Sequence, residues 1–446
     1  MAGEWEETTL GEHVELATGE AFQSGSFGTT PDSGTLLARG DNVKEGEFEW
    51  GEKARYWPEL TPDLERYLLR EGDVLLGMDG SKVGKNWVRV RQKDLPCLLV
   101  QRVARLRAKR TMGQGFLRYL IGNPQFRDYV ARVRTGTSIP HISGGQIKSY
   151  EILLPPLAEQ KAIAAVLGAL DDKIELNQRM NSTLEAMARA LFQSWFVDFD
   201  PVRAKLDGRK PIGLDETTAA LFPDSFQDSA VGHIPNGWRV GVLDELTKFV
   251  IGGDWGATEP TDDETVSCYC IRGADIPSLQ SGGVGKMPTR FLKPSSVEKR
   301  QLADGDVAIE ISGGSPTQCT GRPVLASDAL LQSLGQPLVA SNFCRILKLK
   351  SPALSKFVYL WLRQLYDLGE LFQFETGTTG IKNFAFVIFS ERYPLVVPDL
   401  RVAEAFDRAL SPFFVRIQAN SKQSRTLATL RDTLLPKLLS GELSVI

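Results

Sequence analysis

The sequence predicts an α+β protein in which two mixed α/β units, related by an internal duplication, are each followed by one long helix. Three observations carry that reading. First, short matches recur in the same order in both halves of the chain. Trp5 and Leu10 return as Trp238 and Leu243, "ARGDN" at 38–42 as "IRGAD" at 271–275, and "EGDV" at 71–74 as "DGDV" at 304–307, all 233 residues apart. "TGTS" at 135–138 then matches "TGTT" at 376–379 with an offset of 241, and "LPPL" at 154–157 matches "VPDL" at 397–400 with an offset of 243. Each match is weak alone, but a common order with a slowly growing offset is what a duplication with small loop insertions leaves. Second, Ile163, Leu167, Leu170, Ile174, Asn177, Asn181, Leu184, Ala188, Leu191 and Trp195 follow alternating steps of four and three, the spacing of a coiled-coil seam. Adding 243 to each gives Phe406, Leu410, Phe413, Ile417, Asn420, Ser424, Leu427, Arg431, Leu434 and Leu438, a second stripe with one charged interruption. Third, each unit shows short β-like runs, then one helical segment, then a closing strand.

Taken in order, residues 1–155 form the first unit. Its runs are "DVLLGM" at 73–78, "NWVRVR" at 86–91 and "VARLRA" at 103–108, followed by a helix over 115–133 that "GNPQF" at 122–126 interrupts. The first long helix occupies 156–197. Residues 198–237 are rich in Asp, Pro and Gly without sustained periodicity and read as a linker. The second unit covers 238–398, with "CRILKL" at 344–349 and a helix over 355–373, and the second long helix covers 399–446. Asn177 and Asn420 hold the same heptad position in the two stripes, and polar residues at a seam lower stability while fixing register.

Composition narrows the function. A chain of 446 residues, with 42% hydrophobic and 24% charged residues, is a globular protein of more than one domain. The longest nearly apolar run, Ala162 to Leu170, is far shorter than the ~20 residues of a membrane span, and the N-terminus has no signal-like pattern, so an intracellular protein is expected. Five cysteines without a Cys-x-x-Cys pair and three scattered histidines make a structural zinc site unexpected. The net charge of −3 taken alone argues against a nucleic-acid partner, but its distribution does not. From Asp79 to Lys148 fifteen Lys and Arg face three acids, whereas residues 1–50 carry eleven acids against Arg39 and Lys44. Arginines clustered between Arg89 and Arg134, with Trp87, Phe116, Tyr119 and Phe126 among them, suggest a phosphate-tracking surface.

Catalytic motifs fail one by one. Gly84-Lys85 and Gly285-Lys286 lack both the upstream glycine and the following hydroxyl of a phosphate-cradling loop. "GNPQF" lacks the second proline of an amino-methyltransferase loop and reads as a helix break. Asp171-Asp172-Lys173 ends like a nuclease metal motif but lies on the heptad helix, and no Gly-x-Ser-x-Gly supports a nucleophile. A non-catalytic chain is expected.

The segment "ISGGQIKSYEILLPPLAEQKAIAAVLGALDDKIELNQRMNSTLEAMARALFQSWFVDF" at 142–199, with a weaker second copy ending "LRDTLLPKLLSGEL" at 430–443, resembles the specificity subunit of Type I restriction-modification systems. The resemblance spans essentially the whole chain and is most specific at Pro-Pro-Leu-Ala-Glu-Gln-Lys. It implies two tandem target-recognition domains, each reading one half of a split duplex DNA site. It also implies that the two long helices form an antiparallel coiled coil, a spacer on which two adenine-methyltransferase subunits dock, with endonuclease/translocase subunits joining to cut. S-adenosylmethionine, ATP and magnesium then belong to those partners, this chain binds no cofactor, and the complex is cytoplasmic. The departures are Arg431 in the second stripe and Arg401-Val402-Ala403 in place of Ala-Glu-Gln.

Base readout needs paired donors and acceptors on loops, with Lys and Arg on phosphates. The candidates are Arg39, Lys82, Lys85, Arg89, Arg91, Arg134, Thr135, Thr137 and His141 in the first domain. In the second they are Arg272, Ser312, Arg322, Thr376, Thr378, Thr379, Lys382 and Asn383. Two other classes stay open at this point: a fused restriction-methylation enzyme, which S-adenosylmethionine binding by the chain would reveal, and a protein-binding scaffold, marked by no salt-dependent DNA binding.

Overall fold

A computed structural model describes residues 5–136, 138–313, 318–377 and 381–445. The chain divides into two compact units, Met1–Lys173 with Thr426–Ile446, and Ile174–Arg425. In the first, the strands Val14–Thr18, Val103–Ala108, Val74–Gly77 and Trp87–Arg89 lie side by side in that order, all antiparallel. A three-stranded sheet sets Tyr56–Trp57 against Thr35–Ala38, which runs parallel to Cys97–Leu99, and a separate ribbon pairs Glu6–Thr9 with Glu151–Leu154. The central run "VLLG" is continuously apolar because both of its faces are covered. Val74 and Leu76 join a core with Phe116, Leu117, Leu120 and Phe126, whereas Leu75 packs with Val88, Leu99 and Val103.

The second unit repeats this order strand for strand. Thr247–Gly252, Cys344–Leu349, Val307–Glu310 and Pro323–Leu325 form its four-stranded sheet, and Thr289–Leu292, Val266–Ile271 and Leu338–Ala340 its three-stranded one, with the same parallel pairing. Arg239–Gly241 pairs with Leu395–Val397 as the first ribbon does. The sheet order itself therefore carries the duplication.

Local chemistry sets the helix ends. Helix Gln114–Gly122 stops where Asn123 turns extended, and a new helix, Pro124–Val133, starts there with the Asn123 side chain accepting from the Gln125 amide. In the second unit helix Ser355–Asp367 ends before Gly369 (φ 75), and residues to Phe374 continue as a tighter 3₁₀ turn, so the regular helix is shorter than the expected 355–373. The five cysteines are free and buried. Among the described residues no helix is long and apolar enough to cross a membrane.

Two expectations change. The segment 198–237 is not a bare connection: it holds helices Asp200–Leu206 and Glu216–Ala220 and a hairpin of Phe226–Ser229 with Gly232–Pro235. Its Val202 and Phe222 enter the aromatic core around Trp195, Phe196 and Trp238, so spaced single apolar residues anchor it without any helical period. The basic stretch is also not one surface. Arg107 binds Asp73 at 2.6 Å, Arg105 donates to the Arg66 carbonyl, and Arg118 meets Asp171, while Phe116, Tyr119 and Phe126 are core residues.

The long helices are Leu157–Phe196 and Leu400–Leu439, 40 residues each, or about 60 Å at 1.5 Å per residue. Within the first unit, Ile163 and Leu167 share a core with Leu435, Leu438 and Leu439, and Leu434 packs against it. Within the second unit, Ala188, Leu191 and Trp195 meet Phe406, Leu410 and Phe413. The start of one helix thus lies against the end of the other, an antiparallel pairing. Leu170, Ile174, Leu184 and Leu427 are half-buried, Ile417 is buried, and Asn177 and Asn420 are buried.

Candidate nucleic-acid interface

In the first unit three loops converge beside the end of strand Val74–Gly77. The Gly80 amide donates to the Pro140 carbonyl and the Ile142 amide to Met78, which stitches the 78–85 turn to the 134–141 loop. Thr135 and His141 exchange both backbone hydrogen bonds, and the Thr135 hydroxyl lies 2.9 Å from His141 Nε2. The Arg39 loop reaches the same place, since a Cβ on Gly40 would stand 3.8 Å from Asp79 Oδ1. Arg39 binds Asp41 at 2.6 Å and lies over the Phe27 ring. Lys82 and Lys85 are exposed on the turn, whose close approach to the helix needs Gly84: at φ 85, a Cβ there would meet Val130 at 2.9 Å. Arg134 is exposed beside them. Arg89 and Arg91 are half-buried and run away from the cluster along strand Trp87–Arg89, so the fold does not bring them to it. Thr137 lies outside the described residues.

The second unit builds an equivalent constellation. Ser312 pairs with Asn383 as Asp79 pairs with His141, and Thr376 pairs with Asn383 as Thr135 pairs with His141. The Ser312 hydroxyl is 2.5 Å from Asn383 Oδ1, and Lys382 Nζ reaches Glu375 at 2.7 Å while lying over Phe372. Arg272, the counterpart of Arg39, is held by Asp275 at 2.8 and 3.0 Å and donates to the Lys286 carbonyl. Burial works to raise the Asp275 carboxyl, but the Arg272 guanidinium and the Arg272 and Lys286 amides outweigh it and keep it below the usual carboxylate range. Arg322 lies inside the domain rather than on an open face. It forks onto Glu310 at 2.8 and 2.7 Å, and Gly273 and Gly313 fit over that pair because a Cβ on either would strike Glu310. Arg322 is therefore a positioning residue beneath the loops. Thr378 and Thr379 lie outside the described residues.

Sequence reasoning missed Asp79, Glu310, Glu375 and Arg102. Arg102 has φ 72, is exposed, and stands 4.0 Å from Asp79 while its carbonyl accepts from Met78. The 233-residue offset relates Asp79 to Ser312 and was the available signal for that pair. Glu310 and Glu375 carry no such signal, because their role lies in which arginine or lysine they hold.

At the helices, Asn181 accepts from Asn420 Nδ2 at 3.0 Å and donates to Ser421, while Asn177 donates to Ser424 and to the Asn420 carbonyl. Arg431, the charged interruption, binds Asp171 at 2.9 Å, and the other oxygen of Asp171 accepts from Arg118 and the Tyr119 hydroxyl. Gln160 anchors the first long helix to its own domain: its Oε1 accepts from the Gly113 amide, and its Nε2 donates to the Thr111 and Pro155 carbonyls. In the second copy Ala403 takes its place, buried in the apolar core with Val402. The Ala-Glu-Gln departure thus exchanges a polar anchor for an apolar one.

Two similar sheet-and-loop domains, each followed by a long helix, have counterparts among known proteins. A family model for the Type I restriction modification DNA specificity domain matches residues 2–186. The chain is 25% identical over 352 residues to the Type I restriction enzyme HindI specificity subunit of Haemophilus influenzae, covering 70% of this chain and 73% of that one. It is 26% identical over 333 residues to the MjaIX specificity subunit of Methanocaldococcus jannaschii, covering 74% and 69%. Its fold is similar to that of the Type-I restriction-modification S subunit from M. genitalium, with a TM-score of 0.53 and 16% identity over 98% of this chain and 96% of that one. Residues 2–186 thus match the specificity-domain model, and the chain is similar over most of its length to specificity subunits of Type I restriction-modification systems.

Proposed function

We propose that this chain is the non-catalytic DNA reader of its complex, each domain recognising one half of a bipartite duplex site. The observation that carries this reading is the paired constellation: Thr135 and His141 beside Asp79, with the Arg39 loop reaching Asp79 at Gly40, and Thr376 and Asn383 beside Ser312, on sheets of identical order. Loops that present hydroxyl, imidazole and amide groups suit base edges, and exposed Lys82, Lys85 and Arg134 suit phosphates. The long helices set the unread gap and dock two adenine-methyltransferase subunits, to which endonuclease/translocase subunits add. S-adenosylmethionine, ATP and magnesium are bound by those partners and not by this chain, which works with them in the cytoplasm.

Exchanging residues 1–155 for the equivalent domain of a relative tests this reading. Methylated-adenine motifs mapped in DNA from cells carrying the hybrid should change in one half and persist in the other. A hybrid that alters both halves or neither contradicts it. Replacing Lys82 or Lys85 by Ala should weaken binding to all duplexes alike and reduce the slope of log K against log salt by about 0.9 for each phosphate lost. A loss confined to particular sequences would make these lysines base contacts.

A further inference from the structure

Beside the polar groups of each constellation the fold leaves one large aliphatic side chain in water. Ile139 is 65% exposed and Ile381 is 62% exposed. Their equivalence rests on backbone geometry as well as on sequence order. Each stands two residues before the one that closes its loop, His141 on Thr135 and Asp79, Asn383 on Thr376 and Ser312. Each also has its carbonyl over a left-handed glycine: a Cβ on Gly136 (φ 88) would lie 2.4 Å from the Ile139 oxygen, and one on Gly377 (φ 112) 3.3 Å from the Ile381 oxygen. The two loops therefore present an isoleucine on the same scaffold.

A single exposed aliphatic residue needs no explanation. Two at matched places in a duplicated reader, each next to hydroxyl, imidazole, amide or ammonium groups, call for one. Hydrogen-bonding side chains read the polar edges of bases, and the apolar feature of the major groove is the C5-methyl of thymine. Wedging between base steps is the other use of such a side chain, but wedges enter from the minor groove, whereas the groups around these isoleucines match the donors and acceptors of the major-groove edge.

We propose that Ile139 and Ile381 are specificity-determining residues, each seated against the C5-methyl of a thymine in the half-site its domain reads. This rests on the DNA-reading function proposed above. The test uses the full chain assembled with its partner subunits. Bound duplexes are selected from a randomised library to define the site, and affinity is then measured with each thymine replaced in turn by deoxyuridine. One thymine in each half should lose about fourfold, the value of one buried methyl-sized group. Ile139→Ala should remove that sensitivity in one half only and Ile381→Ala in the other, with Ile→Val variants retaining part of it. Equal losses on thymine and deoxyuridine duplexes indicate a wedge and overturn the proposal, as do a half-site without thymine and variants with unchanged affinity. If the wild-type assembly selects no sequence, the DNA-reading function falls and the proposal with it. A selected site without deoxyuridine sensitivity overturns the proposal alone.

Discussion

Asp171 shows how far a residue's role depends on what surrounds it. In the sequence it sits in an Asp-Asp-Lys string on a heptad helix, and Arg431 looks like a flaw in the opposite stripe. In the fold they satisfy each other, with Arg118 and Tyr119 completing the site. Asp171→Ala leaves the half-buried Arg118 guanidinium without its carboxylate, while Arg431 keeps Asp432, and should destabilise the unit by about 2 kcal/mol. Arg431→Leu restores the apolar stripe while Asp171 keeps Arg118 and Tyr119, so it should change stability by less than about 1 kcal/mol. Denaturant unfolding of the two variants separates these outcomes. Asp275 gives a pH-dependent case. Its carboxyl is held below its ordinary value of 3.8, so its contribution is fully present at neutral pH and is lost as pH falls through the lower folded value. Asp275→Asn should cost about 2 kcal/mol at pH 7, and the stabilities of variant and wild type should converge below pH ~3.8. Parallel curves down to pH 2 would show that the Arg272 loop does not depend on this charge. The sequence shows where arginines are but not where their donors are spent, which is why Arg272 and Arg322 read as open surface groups.

At the scale of elements, the seam period is legible because burial enforces it, but the partner across the seam is not. Asn177 and Asn420 are equivalent by duplication, yet the Asn177 side chain meets only the backbone carbonyl of Asn420. The register instead sets Asn177 beside Ser424 and Asn181 beside Asn420. Replacing Asn181 and Asn420 together by Leu should raise stability by on the order of 1 kcal/mol and loosen register, because buried polar pairs act chiefly through specificity. Crosslinking and sizing chromatography would show shifted or intermolecular pairing, and an unchanged single species would mean the asparagines do not fix register. Gln160→Ala removes the three hydrogen bonds that the buried Gln160 side chain makes at the base of the first long helix and should cost about 2–3 kcal/mol. Hydrogen exchange at Thr111 to Gly113 reports it directly.

At the scale of the whole molecule, the duplication was visible in sequence because turn glycines and strand cores keep their order while loops grow. The folded character of 198–237 was hidden, because anchoring by isolated aromatic residues leaves no period. The basic stretch misled because net charge does not distinguish phosphate-facing cations from those bound inside. In the function proposed above, the paired helices are the spacer between two half-site readers. Deleting 177–183 together with 420–426 removes one heptad from each helix, lifts out the polar layer and joins apolar seam positions in phase. Each helix shortens by ~10 Å, which at about 3.4 Å per base pair is roughly three pairs of DNA. The most direct measurement is the gap between half-sites in the motif methylated or bound by the deletion variant. If the helices are the spacer, the gap shortens by about two to three pairs, from ~10 Å of lost helix, with both half-site sequences kept. An unchanged gap would contradict it, as would an unchanged gap with altered half-site bases.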